Sequence, residues 1–199
     1  PETGFELPYT VAYVQKALEA LGIQPKKVGR AGITASIGTG TPSVLLRADM
    51  DALPVREESG LPFAASNGNM HACGHDGHMA NLLTFAAWLN DHRSELVDDV
   101  VLLFQPAEET VGGAKRMIDE GALENPHVDV IYGMHMMPDI PKGVIASCAG
   151  PIMAQTCEMD FVIHGKSAHG ATPHLGRDAI TAMGHLLTLF QTTVARSVD

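Results

Sequence analysis

Residues 99–107, DVVLLFQPA, are apolar at every position from Val100 to Phe104 before the run meets Pro106. A strand without alternation has no face to turn to water, so it must be covered on both sides, as at the centre of an α/β sheet. SVLLRADMD at 43–51 is a second strand of this kind, and ITASIG at 33–38 precedes it across a Gly/Thr/Pro turn. Residues 8–21 place Val11, Val14, Leu18 and Leu21 on one helical face and stop at Gly22; residues 76–93, DGHMANLLTFAAWLNDHR, have helical spacing and an acidic start. GGAKRMIDEGAL reads as a short helix and VDVIYGMHM as another strand. Strand and helix alternate at the length of βαβ units, which predicts an α/β fold with a mixed, mostly parallel sheet flanked by helices. From about residue 156 the pattern changes to an alternating strand, TCEMDFVIHG, a loop, SAHGATPHLGRD, and a long helix over 178–197. The expected division is therefore 1–155 and 156–199, the second part beginning a smaller α+β domain.

Composition narrows the partners. Thirteen basic against 23 acidic residues leave a formal charge of −10, the wrong sign for nucleic acid or an anionic membrane, so a small molecule is expected. Cys73, Cys148 and Cys157 are too few and too irregular for a disulfide framework, and a reducing, cytoplasmic setting is expected. Cys148 and Cys157, set among apolar residues, read as small buried hydrophobes. No run reaches the roughly 18 apolar residues of a membrane span, and the first residues lack a basic then apolar signal pattern.

The densest chemical signal is MHACGHDGH at 70–78. On an extended segment Cys73 and His75 face the same side and can converge on one ion. QPAEE at 105–109 carries an apolar strand into Glu108 and Glu109, whose side chains diverge, so one can ligate while the other acts as a base. YGMHM places His135 at the end of an apolar strand, and RADMDAL places Asp49 and Asp51 at the end of another. Each has a plainer reading when taken alone: a polar turn, a solvated helix start, a core or edge histidine. Yet ligands of such sheets gather at the carboxyl ends of the strands, and all four sets lie there. Cys, His and carboxylate together suit zinc, and the soft thiolate argues against magnesium or calcium; manganese, cobalt and nickel stay open.

RADMDALPVREESGLPFAASNGNMHACGHDGH, then LLFQPAEE, GMH and HGKSAHGATPHLGRDAI in this order, resemble the aminoacylase, hippurate hydrolase and indole-acetyl-amino-acid hydrolase branch of the zinc carboxypeptidase and aminoacylase superfamily. The resemblance covers almost the whole chain. It implies two divalent metal ions, zinc first, held by Cys73, His75, Glu109 and His135. Glu108 is then the general base and Asp51 the acidic residue that orients a ligand and tunes the metals. His169 resembles the histidine of a smaller lid or dimerisation domain that reaches the active site, often that of the dimer mate. The implied substrates are N-acyl amino acids or dipeptides, and the implied assembly is a homodimer or homo-oligomer. The family's last metal-binding histidine and the rest of its smaller domain have no counterpart in these residues, so the resemblance implies the N-terminal half of an amidohydrolase. A non-catalytic metal-binding or dimerisation fragment is the alternative, and a thiol hydrolase using Cys73 as nucleophile is a rival from another class. His71 and His78 read as supports for the ligands or as solvent-facing side chains, Asp76 as a helix cap or a buttress for His75, and His174, Arg177 and Asp178 as a polar loop that caps the last helix.

Overall fold

Val100–Phe104 are all buried, as a run without alternation requires. A computed structural model describes residues 1–38, 43–110, 112–153 and 159–197. It divides into two compact units, Pro1–Val144 and Ile145–Asp199.

The first unit holds helix α1 (Pro8–Ala20), strands β1 (Lys26–Val28), β2 (Gly32–Ile37) and β3 (Ser43–Asp49), helix α2 (His75–Asp91), strand β4 (Asp99–Gln105), helix α3 (Gly113–Asp119) and strand β5 (Val130–Gly133). The sheet order is β1-β2-β4-β3-β5. β3 pairs in parallel with β4 and β5, whereas β2 is antiparallel to β1 and β4, so the sheet is mixed. β2 and β3 follow each other in sequence but are not neighbours, because β4 lies between them.

Alternate residues of β4 serve two cores. Val100, Leu102 and Phe104 join Ile33, Ile37 and Ala48 under α1 and α2 through Leu18, Leu82 and Leu89. Val101 and Leu103 join Leu45, Met117 and Ala122 on the opposite face. Burying one such aliphatic side chain contributes roughly 1.5–3 kcal/mol, so the doubly covered β3–β4 pair anchors the unit. The start of α1 is fixed from a distance: the Glu2 carboxylate accepts the backbone N–H groups of Tyr9 and Thr10 at 3.2 and 2.7 Å, two of the donors a helix start leaves free. In the parallel register Asp49 lies opposite Gln105 and Arg47 opposite Gly133, so β3, β4 and β5 end on the same edge.

The second unit contains helix α4 (Ala179–Ser197). Asp178 caps it, as its place in the sequence predicts: its carboxylate accepts from Ile180 N, Thr181 N and Thr181 Oγ1. The strand expected over 156–165 is not formed in its described part, 159–165; residues 156–158 lie outside the described residues. A strand needs a partner for its backbone groups, and the pairing found here is the single Lys166–Arg177 bridge. Among the described residues no helix is long and apolar enough to cross a membrane.

Candidate metal centre

Helix α2 buries one stripe, His75, His78, Leu82, Ala86 and Leu89, so its core-facing stripe changes from apolar to imidazole at the sheet's carboxyl edge. Cys73 and His75 do come together, though not through an extended segment. Gly74 between them has φ 87°, a left-handed turn open to glycine at little cost, and a Cβ there would lie 3.1 Å from Met136 Cβ. The turn folds the thiol back over the first residue of the helix.

Asp51 organises the carboxylate side. It is buried, and its two oxygens accept the backbone N–H groups of Glu108 and Glu109 at 3.0 and 3.1 Å. These bonds fasten the QPAEE turn to the end of β3. The turn is tight: Ala107 has φ 52°, a conformation costly for a residue with a Cβ. A Cβ on Gly113 would fall 1.9 Å from Pro106 O. His75 Nδ1 lies 2.7 Å from the carbonyl oxygen of Asp51. A carbonyl only accepts, so Nδ1 carries the proton and the Nε2 lone pair is free.

That lone pair faces acceptors. His75 Nε2 lies 3.8 Å from Asp49 Oδ2, 3.9 Å from Glu108 Oε2 and 3.8 Å from Glu109 Oε1. On the other side Cys73 Sγ is 3.3 Å from His135 Nε2. Cys73, His75 and His135 form one group whose ligand atoms lie within 4.8 Å of one another, and His75, Glu108 and Glu109 form a second. The buried atoms His75 Nε2 and Glu109 Oε1 have no hydrogen-bond partner. Buried polar atoms are seldom left so, and converging acceptors with no donor among them call for a cation.

The local electrostatics agree. Burial pushes the Cys73 thiol up, the Glu109 and Glu108 carboxylates add to it, and the result is about 12. Burial pulls His75 down, but the Asp51 and Asp49 carboxylates outweigh it and its pKa is raised. Burial and the charges of Asp49 and Glu109 raise the Glu108 carboxyl. Asp51 moves the other way: burial lifts it, but His75 and the N–H groups of Glu108 and Glu109 hold it below the usual range.

Cys73, His75, Glu108, Glu109, Asp51 and His135 are thus brought together in the first unit. His135 lies two residues beyond β5 and is exposed, as is every residue of that strand. His169 belongs to the second unit, where its Nδ1 accepts from Ala171 N at 3.1 Å. Asp76 is exposed and accepts the Gly77 N–H, so it serves the helix start rather than His75. Cys148 is exposed rather than buried, since residues 145–153 form no helix or strand that could cover it. Cys157 lies outside the described residues. Sequence reasoning put Asp49 at the strand end without a specific role and left open whether His78 is buried; it is, with Nδ1 3.4 Å from Asp49 Oδ2, and the signal was available, because 75, 78 and 82 continue the helical core spacing.

The model of Peptidase family M20/M25/M40 matches residues 45–194. The chain is 41% identical to the N-acetyl-L-cysteine deacetylase of Bacillus subtilis (strain 168), spanning 100% of this chain and 48% of that protein. It is 43% identical to the Arabidopsis thaliana IAA-amino acid hydrolase ILR1-like 2, over 100% of this chain and 46% of the relative. The chain therefore spans about half the length of these curated relatives. Among solved structures it resembles a Bacillus subtilis protein described as a dinuclear metal binding peptidase from the M20 family, with TM-score 0.67 and 41% identity over 71% of this chain and 40% of that one.

Proposed function

From the premise that the chain belongs to Peptidase family M20/M25/M40, we propose that it supplies the metal-holding half of an amidohydrolase that cleaves the amide bond of N-acyl amino acids. One observation carries this reading: His75 Nε2 and Glu109 Oε1 are buried, unpartnered acceptors 3.8 Å apart. Relatives of the chain are deacetylases and an IAA-amino acid hydrolase by name, which supports the substrate class. Homo-oligomers of the whole protein fit the reading as well.

Cys73, His75, Glu109 and His135 would hold two divalent ions, zinc suiting the thiolate, imidazole and carboxylate set. Bound there, such ions supply Lewis acidity toward a carbonyl oxygen and acidify water. Asp51 keeps His75 in the tautomer that presents Nε2 and aims Glu108 and Glu109 through their backbones. Glu108, half in solvent, is the carboxylate free to accept a proton from water at Oε2 and return it to the leaving amine. Its raised pKa suits a group that must do both. In this reading His169 would donate to the developing oxyanion. The rival thiol mechanism is disfavoured by the Cys73 thiol itself: at about 12 it holds its proton unless a cation displaces it.

Two measurements test the reading. Zinc or manganese uptake should reach two ions per chain in the whole protein, which should then hydrolyse benzoyl-glycine or acetylated amino acids and lose that activity to a chelator. Absence of bound metal after reconstitution would sink the ligand assignment. Uptake should also be linked to protons. Cys73 and His75 both have raised pKa values and must both give up a proton, so affinity should weaken as pH falls. Calorimetry in buffers of different ionisation enthalpy should register about one to two protons released per chain near neutral pH; release of none would contradict a thiolate ligand.

A further inference from the structure

His78 is the buried histidine of the cluster that this reading leaves without a part. It sits on α2 within one turn of His75, and the two ring centroids are 5.2 Å apart. Its Nε2 accepts the backbone N–H of Met136 at 2.9 Å. An amide N–H can only donate, so Nε2 holds the lone pair and the proton of the neutral ring is on Nδ1. That proton faces Asp49 Oδ2 across 3.4 Å. Asp49 is buried and paired with Arg47, whose Nε donates to Gln105 Oε1 at 2.7 Å. Polar side chains thus line up from β4 through β3 and α2 to the segment after β5, hydrogen-bonded at either end, while His78 Nδ1 itself has no hydrogen-bond partner.

The end of that line is where anchorage is scarce. His135 is exposed, lies past the last residue of β5, and turns its Nδ1 to the carbonyl oxygen of its own neighbour Met136 at 2.7 Å. The His78 and His135 rings meet edge to face at 4.7 Å.

Asp49, His75 and His78 also form a buried trio whose ligand atoms lie within 4.8 Å, which raises the question of a cation held by His78 itself. The Met136 hydrogen bond answers it. A ring that accepts at Nε2 could ligate through Nδ1 only as an imidazolate, having lost both protons.

We propose that His78 is a positioning residue: as the Nδ1–H tautomer, it latches the backbone of Met136 onto α2 and so sets His135 against Cys73 and His75. The proposal rests on the reading that His135 binds metal, but its first test does not. Histidine ring ¹⁵N spectra of the protein should show His78 as the neutral Nδ1–H tautomer, and an Nε2–H ring would overturn the proposal. Two variants then separate a latch from mere packing. His78→Gln keeps an acceptor near the position of Nε2, whereas His78→Leu fills the space without one. Exchange of the Met136 amide should accelerate about tenfold in the Leu variant and stay near wild type in the Gln variant. The Kd for zinc should follow the same order, rising about 10–100-fold for Leu, as for the loss of a partner that orients a ligand. Equal losses in both variants, or a Leu variant matching wild type, would overturn the latch. Should the wild type bind no zinc, the metal reading fails, while the ring tautomer and the Met136 amide still decide the role of His78.

Discussion

Replacing Glu108 by Gln in the whole, metal-loaded protein is expected to lower kcat for an N-acyl amino acid by about 10²–10⁴ while leaving metal content unchanged, as for the loss of a general base. The expectation follows from the division of labour in the turn after β4. Glu109 turns an oxygen inward, where it is buried without a hydrogen-bond partner, whereas the Glu108 side chain is 41% exposed and can meet a substrate. Gln keeps the shape and one acceptor but cannot carry a proton away. The acidic limb of the wild-type pH profile should lie above the ordinary glutamate range of about 4.3, because burial and the neighbouring carboxylates raise Glu108. Full activity in the variant would overturn the assignment of Glu108 as the general base. Loss of metal together with activity would make Glu108 a ligand instead.

Asp51→Asn should be the most damaging single change to stability in the cluster. The carboxylate accepts two backbone N–H groups, and the new amide NH₂ would confront one of them. A buried donor left unpaired costs about 1–3 kcal/mol, and the Glu108–Glu109 turn would lose part of its anchor as well. The sign of the pH dependence follows from the lowered carboxyl pKa of the folded protein. The stability that Asp51 contributes is present above its unfolded value of about 3.9 and is lost as pH falls through its lower folded value. Urea midpoints of wild type and variant should therefore differ at neutral pH and converge in strong acid. A constant gap would mean that the carboxylate's charge is not what holds the turn.

The central strands were legible because β3 and β4 are covered on both faces and so carry uninterrupted apolar runs. The helices were legible because their apolar spacing decides which face is buried. β1 was not, since a strand of Lys26, Lys27 and Val28 has too few residues to show a period. The approach of Cys73 to His75 was expected, but the geometry was not: two residues apart reads as extended until Gly74 adopts its left-handed turn. For His135 the strand was legible while its place, core or edge, stayed open, because an apolar sequence such as Val130–Tyr132 does not reveal that the strand lies at the end of the sheet order. The order of the strands could not be read at all. Nothing in residues 33–49 reveals that a strand from 50 residues further on separates β2 from β3.

That insertion of β4 governs how the unit can form. The carboxylates of Asp49 and Asp51 arrive at the end of one strand, and Glu108 and Glu109 at the end of another that must first slot between two earlier ones. Closing such non-local pairings is slow compared with forming a helix. The imidazole end of α2 can exist early, but the electron-rich pocket opposite it appears only when β4 is seated. Affinity for a cation is thus a late property of the folding chain, and added metal should slow unfolding more than it speeds refolding.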